Sequence, residues 1–170
     1  MELQNNRQEE CIMDTQKVEQ YAGVVRKVST GLKVWNIIGI FGNLFVLIGL
    51  ASAFVPSVQE ELAKNGVEYS FETAGVGVAV FLLFFLLCIF ATILYHKIGK
   101  TAKTQALPDK NLFFYAIGIH VFSILMQIAS NIFNHQEFSV TTFVIPAIIA
   151  GLLAWVYVTY QKWEQEVMKR

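Results

Sequence analysis

Four stretches of this chain contain no Asp, Glu, Lys or Arg: Val34 to Gln59, Thr73 to His96, Asn111 to Gln136 and Phe138 to Gln161. A bilayer's hydrocarbon core is about 30 Å thick, and a helix needs about 20 mostly apolar residues to cross it. Only a structure that satisfies its own backbone N–H and C=O groups survives there. Each stretch is long enough. A soluble helix of this length keeps a charged face at the helical period, and none of the four does. Charged residues make up 15% of the 170 residues, against about 25% in soluble domains. The expected fold class is therefore an all-α integral membrane protein, a four-transmembrane-helix bundle with spans at 34–55, 74–95, 112–133 and 139–160. An N-terminal segment, 1–33, precedes the membrane domain 34–160, and a tail, 161–170, follows it.

Lys and Arg accumulate on the cytoplasmic side of such spans. The N-terminal segment carries Arg7, Lys17, Arg26, Lys27 and Lys33, the loop between the second and third spans carries Lys97, Lys100, Lys103 and Lys110, and the tail carries Lys162, Lys169 and Arg170. The other side has Lys64. Both termini are thus expected in the cytoplasm. Trp35, Tyr95, Tyr115, Trp155, Tyr157, Tyr160 and Trp163 fall near the same ends of the spans, where amphipathic rings are expected at headgroup level. The polar first thirty residues contain no secretory signal and the chain has no N-x-[ST] sequon. This is compatible with a bacterial inner (plasma) membrane.

Residues 1–15 are polar and aperiodic, and are expected to be flexible. Val18, Tyr21, Ala22, Val25, Val28 and Leu32 then recur at helical spacing, with Lys17, Glu19, Gln20, Arg26 and Lys27 off that face. An amphipathic N-terminal cytoplasmic helix follows, with two readings: it lies on the inner leaflet, or it extends the first span and packs on the protein. Pro56 is expected to end the first span, with Ser57 and Glu60 forming a capping box for a short helix through Lys64, stopped by Asn65-Gly66. Asp109 or Asn111 can cap the third span. The short turn 134–137 makes the third and fourth spans antiparallel neighbours. Pro146 is expected to kink the fourth span or be absorbed in its first turns.

Polar chemistry inside the spans concentrates on the third. His120, Ser123, Gln127, Ser130, Asn131 and Asn134 are spaced by three or four, opposite Ile119, Phe122, Leu125, Met126, Ile132 and Phe133. Polar groups in hydrocarbon turn toward protein or water, so the stripe is expected to face the bundle or an oligomer interface. At 1.5 Å per residue, His120 lies roughly 13 Å from the inner end of its span, level with Asn43. The two are expected to share a hydrogen bond or a water. The candidate intramembrane polar site is Asn43, His120, Ser123, Gln127 and Asn131. Interhelical bonding and the wall of a polar path are its two readings. Gly39, Gly42 and Gly49 in the first span, and Ala147, Gly151 and Ala154 in the fourth, form small-residue faces suited to close helix contact.

Several chemistries lack their residues. The only aspartates are Asp14 and Asp109, so no intramembrane acid pair exists. Cys11 and Cys88 form no C-x-x-C and are expected to be reduced thiols. His96, His120 and His135 differ in depth, which denies a haem its axial pair. No zinc ligand set is present, and zero net charge gives no field to recruit nucleic acid. No catalytic, cofactor-binding or metal residues are therefore assigned. The chain is expected to act non-enzymatically through helix–helix or cytoplasmic contacts, as an accessory, regulatory or immunity-type subunit. Its partners are the lipid bilayer and a homo-oligomer or another membrane protein. The alternative is an oligomeric channel or transporter subunit lined by the third span.

Overall fold

The computed structural model describes residues 2–52, 54–65, 71–133 and 140–169, with side chains described for 15–52, 54–65, 75–129 and 144–169. Among the described residues the chain is all-helical: α1 (Glu2–Ser52), α2 (Pro56–Lys64), α3 (Phe71–Lys103), α4 (Lys110–Phe133) and α5 (Val140–Met168). Four of these, α1, α3, α4 and α5, are long and apolar enough to cross a membrane. The apolar side chains left on their surfaces, such as Phe41, Phe45, Ile48, Leu86 and Leu125, would be untenable in water and are ordinary in lipid. The protein is membrane-embedded.

The first departure from the sequence reading is in α1. Its helical span is Glu2–Ser52, so residues 2–15, aperiodic in sequence, are helical. Residues 18–32 lie inside this helix. Val18, Ala22, Val25, Ser29 and Leu32 are all buried, while Lys17, Glu19, Gln20, Arg26 and Lys27 are exposed. The spacing of four, three, four and three puts the buried set on one face.

The chain divides into two compact units. The first contains Met1–Lys33 and Ile93–Arg170. Its core joins that α1 face to Leu94, Tyr95, Ile98 and Ala102 of α3, Phe113 and Ala116 of α4, and Leu153, Val156, Tyr160 and Trp163 of α5. The start of α4 meets the end of α5: the Phe113 ring lies 4.8 Å from that of Tyr160, and Phe114 lies 5.5 Å from Tyr157. This is the antiparallel pairing expected from the short 134–137 turn. In this unit α1 and α3 also touch. A Cβ on Gly99 would stand 3.8 Å from Ser29 Cβ and 3.9 Å from Thr30 Oγ1, and Gln105 Nε2 donates to Glu19 Oε1 at 3.2 Å.

The second unit, Val34–Thr92, holds the remainder of α1, α2 and the first part of α3. A Cβ on Gly39 would meet Cys88 Sγ at 3.5 Å, and one on Gly77 would meet Leu50 Cδ1 at 3.8 Å. The two segments therefore run antiparallel.

The aromatic belt splits. Trp35, Tyr115 and Trp155 are exposed at 45%, 59% and 53%, which suits headgroup level. Tyr95, Tyr160 and Trp163 are instead core residues at 1%, 4% and 0%. Position along the chain placed them near a span end; helical phase put them on the packed face.

Caps explain the element ends. Asp109 Oδ1 accepts the Asn111 N–H at 2.9 Å, so the aspartate is the cap of α4. The expected Ser57–Glu60 capping box does not form. α2 begins two residues earlier than that box would set it, with Pro56 in its first turn and Val55 as an N-cap without a side-chain bond. Proline presets φ there and lacks an N–H that would have been unsatisfied anyway. Asn65 closes α2, its N–H donating to Glu61 O and Leu62 O. α5 continues through Pro146.

Past the end of α3, Gln105 has φ of 56°, a left-handed conformation that costs a side-chain-bearing residue roughly 1–2 kcal/mol. Glycine is the usual residue in that role. Gln105→Gly is expected to stabilise the protein by about 1 kcal/mol less the exposed bond to Glu19, read as a raised midpoint of thermal unfolding in detergent.

Candidate functional site

The helical phase of α4 points His120 at α3. Its Nε2 lies 2.8 Å from Tyr95 Oη, with ring centroids 6.2 Å apart. Tyr95 is fully buried and His120 half-buried. The imidazole tautomer decides which of the two donates. Sequence reading assigned Tyr95 to the interface and missed this pairing. The signal was present, since Tyr95 lies one residue after Leu94 and three before Ile98, on the apolar phase of α3.

Asn43 belongs to the other unit and has partners there. Its Nδ2 donates to Gly39 O at 2.8 Å and to Cys88 Sγ at 3.8 Å, a long bond to a weak acceptor. Cys88 is a free thiol. The absence of a side chain at Gly39 lets Cys88 approach to 3.5 Å of the Cβ position, which brings the thiol within reach of Asn43. Each of the two residues, expected to share a hydrogen bond or a water, has a described partner within its own unit.

The rest of the polar stripe is described in part. Ser123 is half-buried and Gln127 is exposed. Phe122 and Leu125, on the opposite side of α4, are also exposed, at 43% and 58%. The Asn131 side chain, with those of Ser130 and Asn134, lies outside the described residues. Among the described stripe residues, His120 has a hydrogen-bond partner and Gln127 is exposed.

The small-residue faces are open too. No atom among the described residues lies within 4 Å of a Cβ position on Gly42, Gly49 or Gly151. Ala147 and Ala154 are exposed beside Gly151. Gly39, by contrast, meets a side chain of another helix, Cys88.

Polar side chains elsewhere in the spans bond to their own helices. Thr92 Oγ1 donates to Cys88 O, and Thr159 Oγ1 to Trp155 O, each at 2.8 Å. Such i−4 bonds satisfy a hydroxyl in an apolar setting without a partner helix. Among the described residues, no three His, Cys, Asp or Glu side chains are grouped to hold a metal ion. The chemistry on view is hydrogen bonding between neutral groups: Tyr95 with His120, and Asn43 with Cys88. Compared with protein-family models, with curated proteins and with solved structures, the chain finds no match in any of the three.

Proposed function

We propose that this protein is a four-helix membrane bundle with both termini in the cytoplasm, set in a bacterial inner membrane, and that it acts non-enzymatically by docking a membrane partner. The partner is a second copy or another helical membrane protein. The orientation rests on the distribution of Lys and Arg across the loops. Residues 18–32 form the amphipathic cytoplasmic helix of this reading, with their apolar face turned to the protein's own core.

The observation that carries the proposal is the unused face of α5. Ala147, Gly151 and Ala154 share one side of the helix, and all are exposed. Between lipid-bathed helices, association comes from close backbone approach and van der Waals packing, which small residues permit. Among the described residues, no atom beyond its own helical turn comes within 4 Å of a Cβ position on Gly151. The exposed amide of Gln127 on α4 adds a polar group that a partner could satisfy.

In mild detergent the protein is expected to migrate as an oligomer or with a co-purifying membrane protein. Gly151→Leu is expected to weaken that association at least tenfold, about 1.4 kcal/mol, as measured by crosslinking or light scattering. A strictly monomeric, partner-free wild-type particle would refute the proposal. The channel or transporter alternative draws on the same exposed Gln127, which an oligomer could turn toward a shared path. It requires solute flux in liposomes that falls on Gln127→Leu, and absence of flux sinks it.

A further inference from the structure

The first unit carries an unusual charge arrangement on the two helices that touch at Gly99. Residues 20–33 of α1 and 93–103 of α3 contain Arg26, Lys27, Lys33, Lys97, Lys100 and Lys103 and not one Asp or Glu. Lys33 is half-buried and the other five are exposed. Among the described residues none of the six is ion-paired; the salt bridge found is Lys169 with Glu166, elsewhere on α5.

The helices hold these cations together. Gly99 lies against the stretch from Arg26 to Thr30, with Arg26 O 4.0 Å and Thr30 Oγ1 3.9 Å from its Cβ position. Thr30 Oγ1 donates back to Arg26 O at 2.8 Å, which keeps the hydroxyl on its own helix. On α1, Arg26 and Lys33 fall on the edge that borders α3. On α3, Lys100 and Lys103 lie one and four residues past Gly99, on the side turned away from Leu94, Ile98 and the core. The nearest acid on this edge of α1, Glu19, is two turns before Arg26 and accepts from Gln105. Like charges gathered in this way repel, so an external anion that bridges them stabilises the arrangement.

Position says which anion. Lys33 directly precedes the charge-free run that begins at Val34, and Lys97 directly follows the run that ends at His96. In the same unit Tyr115 and Trp155 expose their rings, at 59% and 53%, as residues at the boundary between hydrocarbon and headgroups do. Cations at that boundary meet phosphodiesters fixed in the plane of the membrane. We propose that Arg26, Lys33, Lys100 and Lys103 form a binding surface for anionic phospholipid headgroups. It requires the membrane embedding of the spans and is independent of the docking face on α5.

The test uses the full-length protein in a nonionic detergent, presented with dioleoylphosphatidylglycerol or dioleoylphosphatidylcholine at equal concentration, with bound lipid counted by native mass spectrometry. Wild type is expected to prefer the anionic lipid at least tenfold. Each cation near such a surface is worth about fivefold, so R26Q/K33Q/K100Q/K103Q is expected to lose that preference. The charge-keeping set R26K/K33R/K100R/K103R is expected to retain it, and 0.5 M salt to reduce it. If the quadruple variant does not fold, R26Q/K100Q is expected to weaken the preference by on the order of tenfold. Equal binding of the two lipids, or a folded variant indistinguishable from wild type, overturns the proposal. So does displacement of the lipid by equimolar inorganic phosphate, which would identify a free-anion site, or by polyglutamate, which would identify an acidic protein partner. Gly151→Leu is expected to leave the lipid preference intact, so failure of the α5 docking reading and failure of this one are separable.

Discussion

Trp163→Ala is expected to be the most damaging single substitution in the protein, costing about 3–5 kcal/mol. Trp163 is 0% exposed and is among the largest fully buried side chains. It sits in the tail beyond the expected fourth span, where burial from water drives packing as in a soluble core. Removing it opens a cavity in the unit that holds the apolar face of α1 together with the ends of α3, α4 and α5. Trp163→Phe separates volume from polarity. The indole Nε1 is buried with no hydrogen-bond partner among the described residues, which carries a desolvation penalty of about 1–3 kcal/mol. Phenylalanine removes that penalty and keeps much of the ring, so the cost is expected to fall below about 1.5 kcal/mol. Equilibrium unfolding in mixed micelles measures both variants. If Trp163→Ala unfolds like wild type, the tail does not close the core.

The second large effect concerns Tyr95 and His120. Tyr95→Phe is expected to cost about 1–2 kcal/mol, because it leaves the half-buried imidazole without the partner it has at 2.8 Å. His120→Leu leaves the buried phenol stranded in the same way, at similar cost. The double substitution removes both polar groups, so its cost is expected to be smaller than the sum of the two. Measured cycles for such bonds within membranes average about 0.6 kcal/mol and reach about 1.7 kcal/mol. The depth of Tyr95, 1% exposed, argues for the upper part of that range. Strict additivity, measured by the same unfolding assay, would mean that the two rings are neighbours without a functional bond.

These two sites differ in how far they could be read from the chain. His120 was visible as a candidate, because a histidine in a charge-free run stands out and must find a partner. Which partner it finds depends on the rotation of α3 about its axis, set by Leu94, Ile98 and Ala102. Trp163 was visible only as an aromatic near a span end. Its burial follows from the spacing Leu153, Val156, Tyr160, Trp163, an apolar phase that continues past the last span into residues with Lys162 and Glu164 beside it. Gln127, on a stripe expected to face the bundle or an oligomer interface, is exposed among the described residues.

The four charge-free runs determined by themselves that the chain is helical and membrane-embedded. Apolar length and the cost of an unpaired backbone group in lipid leave few alternatives. Asp109 as the cap of α4 and the antiparallel pairing of α4 with α5 were legible too, because both depend on neighbours close in sequence. Only the tertiary structure decided that Val18, Ala22, Val25 and Leu32 are buried, that Asn43 meets Cys88, and that His120 meets Tyr95. A hydropathy run specifies where a helix crosses and carries little about its rotation or its partner. Those are set by side-chain packing between segments distant in sequence, such as Gly99 against Ser29 and Gly39 against Cys88.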